Sequence, residues 1–191
     1  MAPERRQASL GRGARQRILA AAAELFGRQG FNATAINELH RSARVSKRTL
    51  YQHFATKEDL ILAHLAACAD GSPAAAVLAR DELTARTRLL ELFTALADPA
   101  TPVPDPFLAA AMEFPDPRDR VHAAAAEQAG RFTATLTALA RASGAREPER
   151  TARRLLTLYQ GACCRLLVED AGVVVSDAYG TAAVILRDAI D

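Results

Sequence analysis

The chain of 191 residues has no tryptophan, three tyrosines and three cysteines, and aromatic residues make up only 5% of it. The cysteines, Cys68, Cys163 and Cys164, are an odd number without the paired spacing of a zinc site or a disulfide framework. Cys163 and Cys164 are adjacent, face apart on a helix and bridge poorly, so the thiols read as buried and inert. The histidines, His40, His53, His64 and His122, show no paired metal-ligand spacing. There is no glycine-rich phosphate loop and no nucleophile elbow. Glu113, Asp116 and Asp119 are close enough in sequence to approach a cation, but Asp116 is better explained as a helix cap. No catalytic residue, no metal and no cofactor is expected, and the chain does not read as an enzyme. No uncharged apolar run approaches the roughly 18 residues that span a bilayer. The best candidate, residues 18–26, is interrupted by Glu24. No apolar segment with a cleavage site follows the N-terminal arginines. A cytoplasmic protein with no membrane partner is expected.

Half of the residues are apolar, with heavy use of alanine and leucine, the strongest helix formers. The net charge of +2 conceals an asymmetry. Residues 1–57 carry 11 Lys and Arg against 3 Asp and Glu, or +8, and the remainder carries 13 against 19, or −6. A basic head on an acidic body points to a polyanionic partner for the head alone.

Periodicity and end signals divide the chain into about nine helices. Residues 1–12 read as a disordered basic arm. The first helix spans 13–29, with Ile18, Ala21, Ala22, Leu25 and Phe26 on one stripe, and Gly30 stops it as a left-handed cap. Arg12, Arg15 and Arg17 lie at its start, the unfavourable end for cations, which suggests an external anion. Thr34 can cap a second helix over 35–42. A turn at 43–46 leads to a third over 47–53, capped by Ser46. Thr56 and Asp59 form a capping-box-like start for a fourth, linking helix.

Gly71-Ser72-Pro73 marks the first clear break. Residues 74–97 are helical, with an interruption near Asp81, and 99–104 form a proline-rich loop. Asp105-Pro106 and Asp116-Pro117 each pair a capping acid with a first-turn proline, starting helices over 106–113 and 117–142. Helices over 148–170, ended by Gly172, and 177–189 follow. Only Val173 to Val175 hints at a strand. The domain plan is an arm over 1–12, a head over 13–57, a linking helix over 58–72 and a body over 73–191.

The stretch VSKRTLYQHF, residues 45–54, organises the rest. Val45, Leu50 and Phe54 are spaced to hold a short helix on a small core. Lys47, Arg48, Thr49, Gln52 and His53 then face outward. Two short helices joined by a tight turn, the second exposing cations, amides and hydroxyls, form a helix-turn-helix suited to a DNA major groove.

The runs ILAAAAELFGRQGF, TAINEL and VSKRTLYQHFATKEDL, between Arg15 and Leu65, resemble the DNA-binding domain of the TetR family of transcriptional regulators. The segments FPDP and LYQGACCRLL are similar, less specifically, to that family's body. The resemblance implies an all-α homodimer. Its head would bind a palindromic double-stranded DNA operator, its last two helices would dimerise, and a small-molecule effector in the body would release the DNA. Carried over by position, Thr34, Ser46, Tyr51 and Lys57 are expected to touch phosphates. Lys47, Arg48, Thr49 and Gln52 are expected to face bases or their immediate backbone, with His53 at the edge. Tyr51 can also pack as a partly buried ring.

Two positions depart from the family pattern. Arg44 stands where glycine is usual. A left-handed backbone there costs on the order of 1–2 kcal/mol, which a phosphate contact on DNA would offset. His40 replaces a small residue and reads as a packed or surface histidine rather than a pH switch. Candidate effector-pocket residues are Phe93, Phe107, Met112, Phe114, His122, Phe132 and Tyr159. The function expected is a ligand-responsive repressor. The alternatives are an activator or a thiol- or redox-responsive regulator of the same fold.

Overall fold

The computed structural model describes residues 3–98, 101 and 105–190, with side chains from residue 13 onward. Most of the expected proline-rich loop and the side chain of Arg12 lie outside these residues. Among the described residues there are ten α-helices, one 3-10 turn and no strand. The helices are α1 (Pro3–Gln29), α2 (Ile36–Ser42), α3 (Lys47–His53), α4 (Lys57–Asp70), α5 (Pro73–Leu78), α6 (Ala85–Thr94), α7 (Pro106–Glu113), α8 (Arg120–Ala142), α9 (Pro148–Arg165) and α10 (Ala171–Ile190). The chain is all-α.

Contacts within the chain gather into two compact units, one of Met1–Ala67 and Leu108–Ala125, the other of Cys68–Phe107 and Ala126–Asp191. In the first unit α1, α2 and α3 pack on one another. Ile18, Ala22, Phe26, Leu39, Leu50, Phe54 and Leu60 are buried there, and Phe26, Phe31 and His64 form a ring cluster with centroids 5.0–6.1 Å apart. In the second unit α10 lies against α9 and α6, and α5 packs on α6. Its core includes Leu89, Leu92, Phe93, Leu136, Leu155, Val174, Ala182 and Leu186.

Several ends follow local chemistry. Ser46 accepts from the Thr49 N–H at 3.0 Å, and Ser72 does the same for Ala75 at 3.3 Å. Thr56 and Asp59 cap one another's backbone N–H groups. Gly30 is left-handed, with φ 82°.

Other expectations need correction. The first helix continues upstream to Pro3, rather than beginning at Gly13 after a disordered arm, through residues such as Arg5, Arg6, Gln7, Ala8 and Leu10 that propagate a helix well. The 74–97 region is two helices plus a 3-10 turn at Ala95–Ala97, because Thr84 caps a new start and Arg88 ties the break to the Leu78 and Leu83 carbonyls. α8 begins at Arg120, not Pro117. Asp119 makes the first-turn bond to Val121 N at 2.7 Å, while Asp116 holds the preceding turn through Arg118. α9 ends at Arg165. Gly172 belongs to the first turn of α10, where the Asp170 carboxylate accepts from Gly172 and Val173. Val173 to Val175 is therefore helical: burial of Val174 and the cap override a weak β preference.

Candidate nucleic-acid interface

α3 has two sides with different jobs. Leu50 is fully buried and Phe54 nearly so, while Val45 is half-buried. Ser46, Lys47, Arg48 and Gln52 are exposed, Tyr51 is 44% exposed, and Thr49 and His53 are intermediate. The Ser46 and Thr49 hydroxyls lie 2.8 Å apart, so Thr49 is partly engaged in the cap. Seven residues thus present two cations and an amide outward on an anchored helix.

The turn before α3 contains the strained residue. Arg44 has φ 52°, and no other non-glycine described residue has a positive φ. Its N–H bonds to the Arg41 carbonyl, and the Val45 N–H bonds to the His40 carbonyl at 3.0 Å. This is the helix-ending arrangement that Gly144 adopts after α8 with φ 86°, but built on arginine. Arg44 is exposed and its guanidinium has no ion-pair partner among the described residues.

Thr34 departs from expectation. It is fully buried, and its hydroxyl donates to the Gly30 carbonyl at 2.7 Å. The N-cap of α2 is Ala35, whose N–H is taken by the Glu38 carboxylate. The hydroxyl of Thr34 therefore closes the α1–α2 loop instead of facing outward to a phosphate. The amphipathic stripe gave no warning, because a threonine before a helix reads as a cap whichever way it points.

Lys57 is also committed. Its ammonium donates to the Asn32 carbonyl at 3.1 Å, and burial lowers its pKa while Glu113 acts the other way. Glu113 itself accepts the N–H of Phe31 at 2.8 Å and of Asn32 at 2.6 Å. The Asn32 side chain donates back to the Glu113 carbonyl. Sequence reading missed this residue, since it lies more than 80 positions from the loop it holds. Arg15 and Arg17 lie midway along α1 and not, as expected, at its start: Arg17 donates to the Ala43 carbonyl and Arg15 lies 5.3 Å from the Phe54 ring centre.

The seven expected pocket residues do not form one set. Phe93, Phe132 and Tyr159 share a ring cluster in the second unit, with centroids 5.4–6.3 Å apart. Phe107 and Tyr159 line a cleft of about 30 Å³ there, together with Cys68, Cys163, Thr101 and Asp105. Phe114 instead packs on Phe31 in the first unit, where the His122 ring is 2.8 Å from the Phe114 carbonyl. Met112 is 81% exposed. Helical spacing alone does not say which unit a ring joins. Burial and Asp105 push the Cys68 thiol up to about 11 and the Cys163 thiol to about 12, and Cys164 is exposed. No cluster of three potential metal ligands occurs among the described residues. Lys57–Leu78, the one stretch among the described residues long and apolar enough to cross a membrane, is two helices separated at Gly71 and Ser72.

Residues 18–64 match the sequence profile of bacterial regulatory proteins, tetR family. Over 48 residues the chain is 46% identical to the HTH-type transcriptional regulator QacR of Staphylococcus aureus, covering 25% of this chain and 26% of that protein. Over 49 residues it is 45% identical to the HTH-type transcriptional regulator UidR of Escherichia coli, covering 26% and 25%. The match thus spans about a quarter of the length of these curated relatives. A crystal structure of a TetR-family transcriptional regulator from Streptomyces coelicolor superposes with a TM-score of 0.87 at 28% identity, covering 94% of this chain and 97% of that one. With the helix-turn-helix in place and the likeness extending across both units, residues 18–64 form a DNA-binding domain of the TetR family, and the chain as a whole has the fold of a TetR-family transcriptional regulator.

Proposed function

We propose that the protein is a DNA-binding transcriptional repressor that acts as a homodimer and leaves a palindromic operator when a small molecule binds the second unit. The observation that carries this reading is α3, capped by Ser46, anchored by Leu50 and Phe54, and exposing Lys47, Arg48 and Gln52 from a segment of net charge +8. A lysine or arginine reaches the two acceptors of guanine, and glutamine pairs with adenine, at about 1–3 kcal/mol of discrimination each. Ser46, Thr49, Tyr51, His53 and Arg44 surround this face and position it on phosphate and sugar. Lys57 and Thr34 contribute by shaping the α1–α2 loop.

Two copies held through α9 and α10 would place their α3 helices in half-sites about one helical turn, or roughly 34 Å, apart. Release requires an element with two states. α4, α7 and α8 are the candidates, because each begins in one unit and ends in the other.

Retention of genomic fragments by the purified protein tests this reading. A palindromic fragment is expected, with affinity falling about 10³-fold or more between about 50 and 200 mM salt for a dimer neutralising six or more phosphates. Replacing Arg48 and Gln52 by Ala should lower discrimination between that fragment and random DNA. Equal retention of every duplex would remove the reading.

A further inference from the structure

The cleft of about 30 Å³ in the second unit has an unusual lining. Asp105 contributes a carboxylate, and Cys68, Cys163, Tyr159 and Thr101 contribute thiols and hydroxyls. No lysine, arginine or histidine is among the lining residues, and Phe107 and Tyr159 supply rings. Burial and the neighbouring Asp105 hold both thiols well above their ordinary value, and Asp105 is the one acidic side chain of the lining. One Asp105 oxygen accepts from the Phe107 N–H at 2.9 Å, which fixes the carboxylate at the start of α7. The Thr101 hydroxyl donates to the Ala95 carbonyl at 2.6 Å, and the Tyr159 hydroxyl is hydrogen-bonded to Cys163. Both oxygens keep lone pairs with which to accept.

The size and the charge together narrow the ligand. A cavity of this volume holds one water-sized group. Burying a charge in it requires a countercharge and hydrogen-bond partners. We propose that this cleft receives the head of a primary ammonium ion, with Asp105 as countercharge, Tyr159 and Thr101 as acceptors, and the Phe107 ring beside the ligand's apolar stem. An ammonium head is the size of a water and offers three N–H donors; a trimethylammonium head is too large and offers none. A carboxylate ligand would meet Asp105 as a like charge. The inference rests on the reading of the second unit as effector-binding and names the class of effector.

Thermal unfolding of the full chain with four probes of shared ring and different head tests it. Benzylammonium at tenfold its dissociation constant should raise the melting temperature by about 3–6 °C. Benzyl alcohol, benzoate and benzyltrimethylammonium should give no comparable shift. Asp105→Asn keeps a good helix cap and should abolish the benzylammonium shift. Tyr159→Phe should weaken binding several-fold, and serves if Asp105→Asn fails to fold. No shift at about 10 mM benzylammonium, enough to saturate a millimolar site, overturns the proposal. So does an equal shift from the alcohol or the quaternary ion, or a shift retained in Asp105→Asn. Operator retention measured on the same samples is a separate readout. Operator retention that persists beside an intact amine response would count against the ligand-released repressor reading and not against the site.

Discussion

Glu113 accepts the Asn32 N–H at 2.6 Å, so the last residue of α7 fixes the loop between α1 and α2. The same carboxylate takes the Phe31 N–H, and a Cβ on Gly30 would lie 2.7 Å from its Oε1. Glu113→Gln turns one of two acceptors into a donor facing an N–H, and Glu113→Ala removes both. The alanine variant should cost about 1–3 kcal/mol, because the half-buried Phe31 N–H loses its partner. Gly30→Ala should also destabilise, through its positive φ and this contact. Since both changes act on one loop, the double variant should cost less than their sum in denaturant unfolding.

Arg44 makes the opposite case. Its left-handed backbone stores strain that glycine would relieve. Arg44→Gly should stabilise the protein by about 1 kcal/mol, the relief of roughly 1–2 kcal/mol being partly offset by a more flexible unfolded chain. If the exposed guanidinium meets phosphate, operator affinity should fall at the same time. Unchanged affinity would remove Arg44 from the interface.

His64 gives the head a pH dependence. Burial holds its imidazole below the ordinary value of 6.5. Above pH 6.5 both folded and unfolded forms are neutral, and its contribution is fully present. As pH falls below 6.5 the unfolded chain takes up the proton first, so stability is lost until the lower folded value is reached. His64→Phe, which keeps a ring beside Phe26 and Phe31, should remove this loss of stability as pH falls below 6.5. The exposed carboxylates whose pKa is lowered, such as Glu38 and Asp59, act below their ordinary 4.5 and 3.8, a separate window.

The proposed dimer has its own test on α10. Val173 and Val184 are 51% and 44% exposed and share one stripe with Gly180. Val184→Asp should leave the fold intact and shift the protein toward monomer in sedimentation, because only the outward face changes. Val174→Asp, at a fully buried position, should unfold the second unit instead.

Local signals carried most of the helices. Ser46, Ser72 and the Thr56–Asp59 pair are caps written within four residues, and Gly30 and Gly144 stop helices by a conformation glycine adopts freely. The same local logic misread Thr34, Asp116 and Gly172. Each sits beside a competitor—Glu38, Asp119 and Asp170—that the pattern did not rank. Arg44 was visible as a departure from glycine, and its backbone is indeed left-handed. Glu113 had no local signature, since its partners are brought to it by packing. The expected pocket was chosen by residue type, and residue type does not assign Phe93 and Phe114 to different units.

Arg15 and Arg17, near the middle of α1, alter what the basic count of the head means. With Arg17 bonded to the Ala43 carbonyl and Arg15 seated by the Phe54 ring, both act as rivets across the helix-turn-helix. Neutralising either should loosen the motif even with no nucleic acid in the tube. Neutralising Lys47 or Arg48 should leave melting untouched and weaken only association. A scan of the head's cations would therefore divide by which helix neighbour each one grips, and charge alone would not forecast the result.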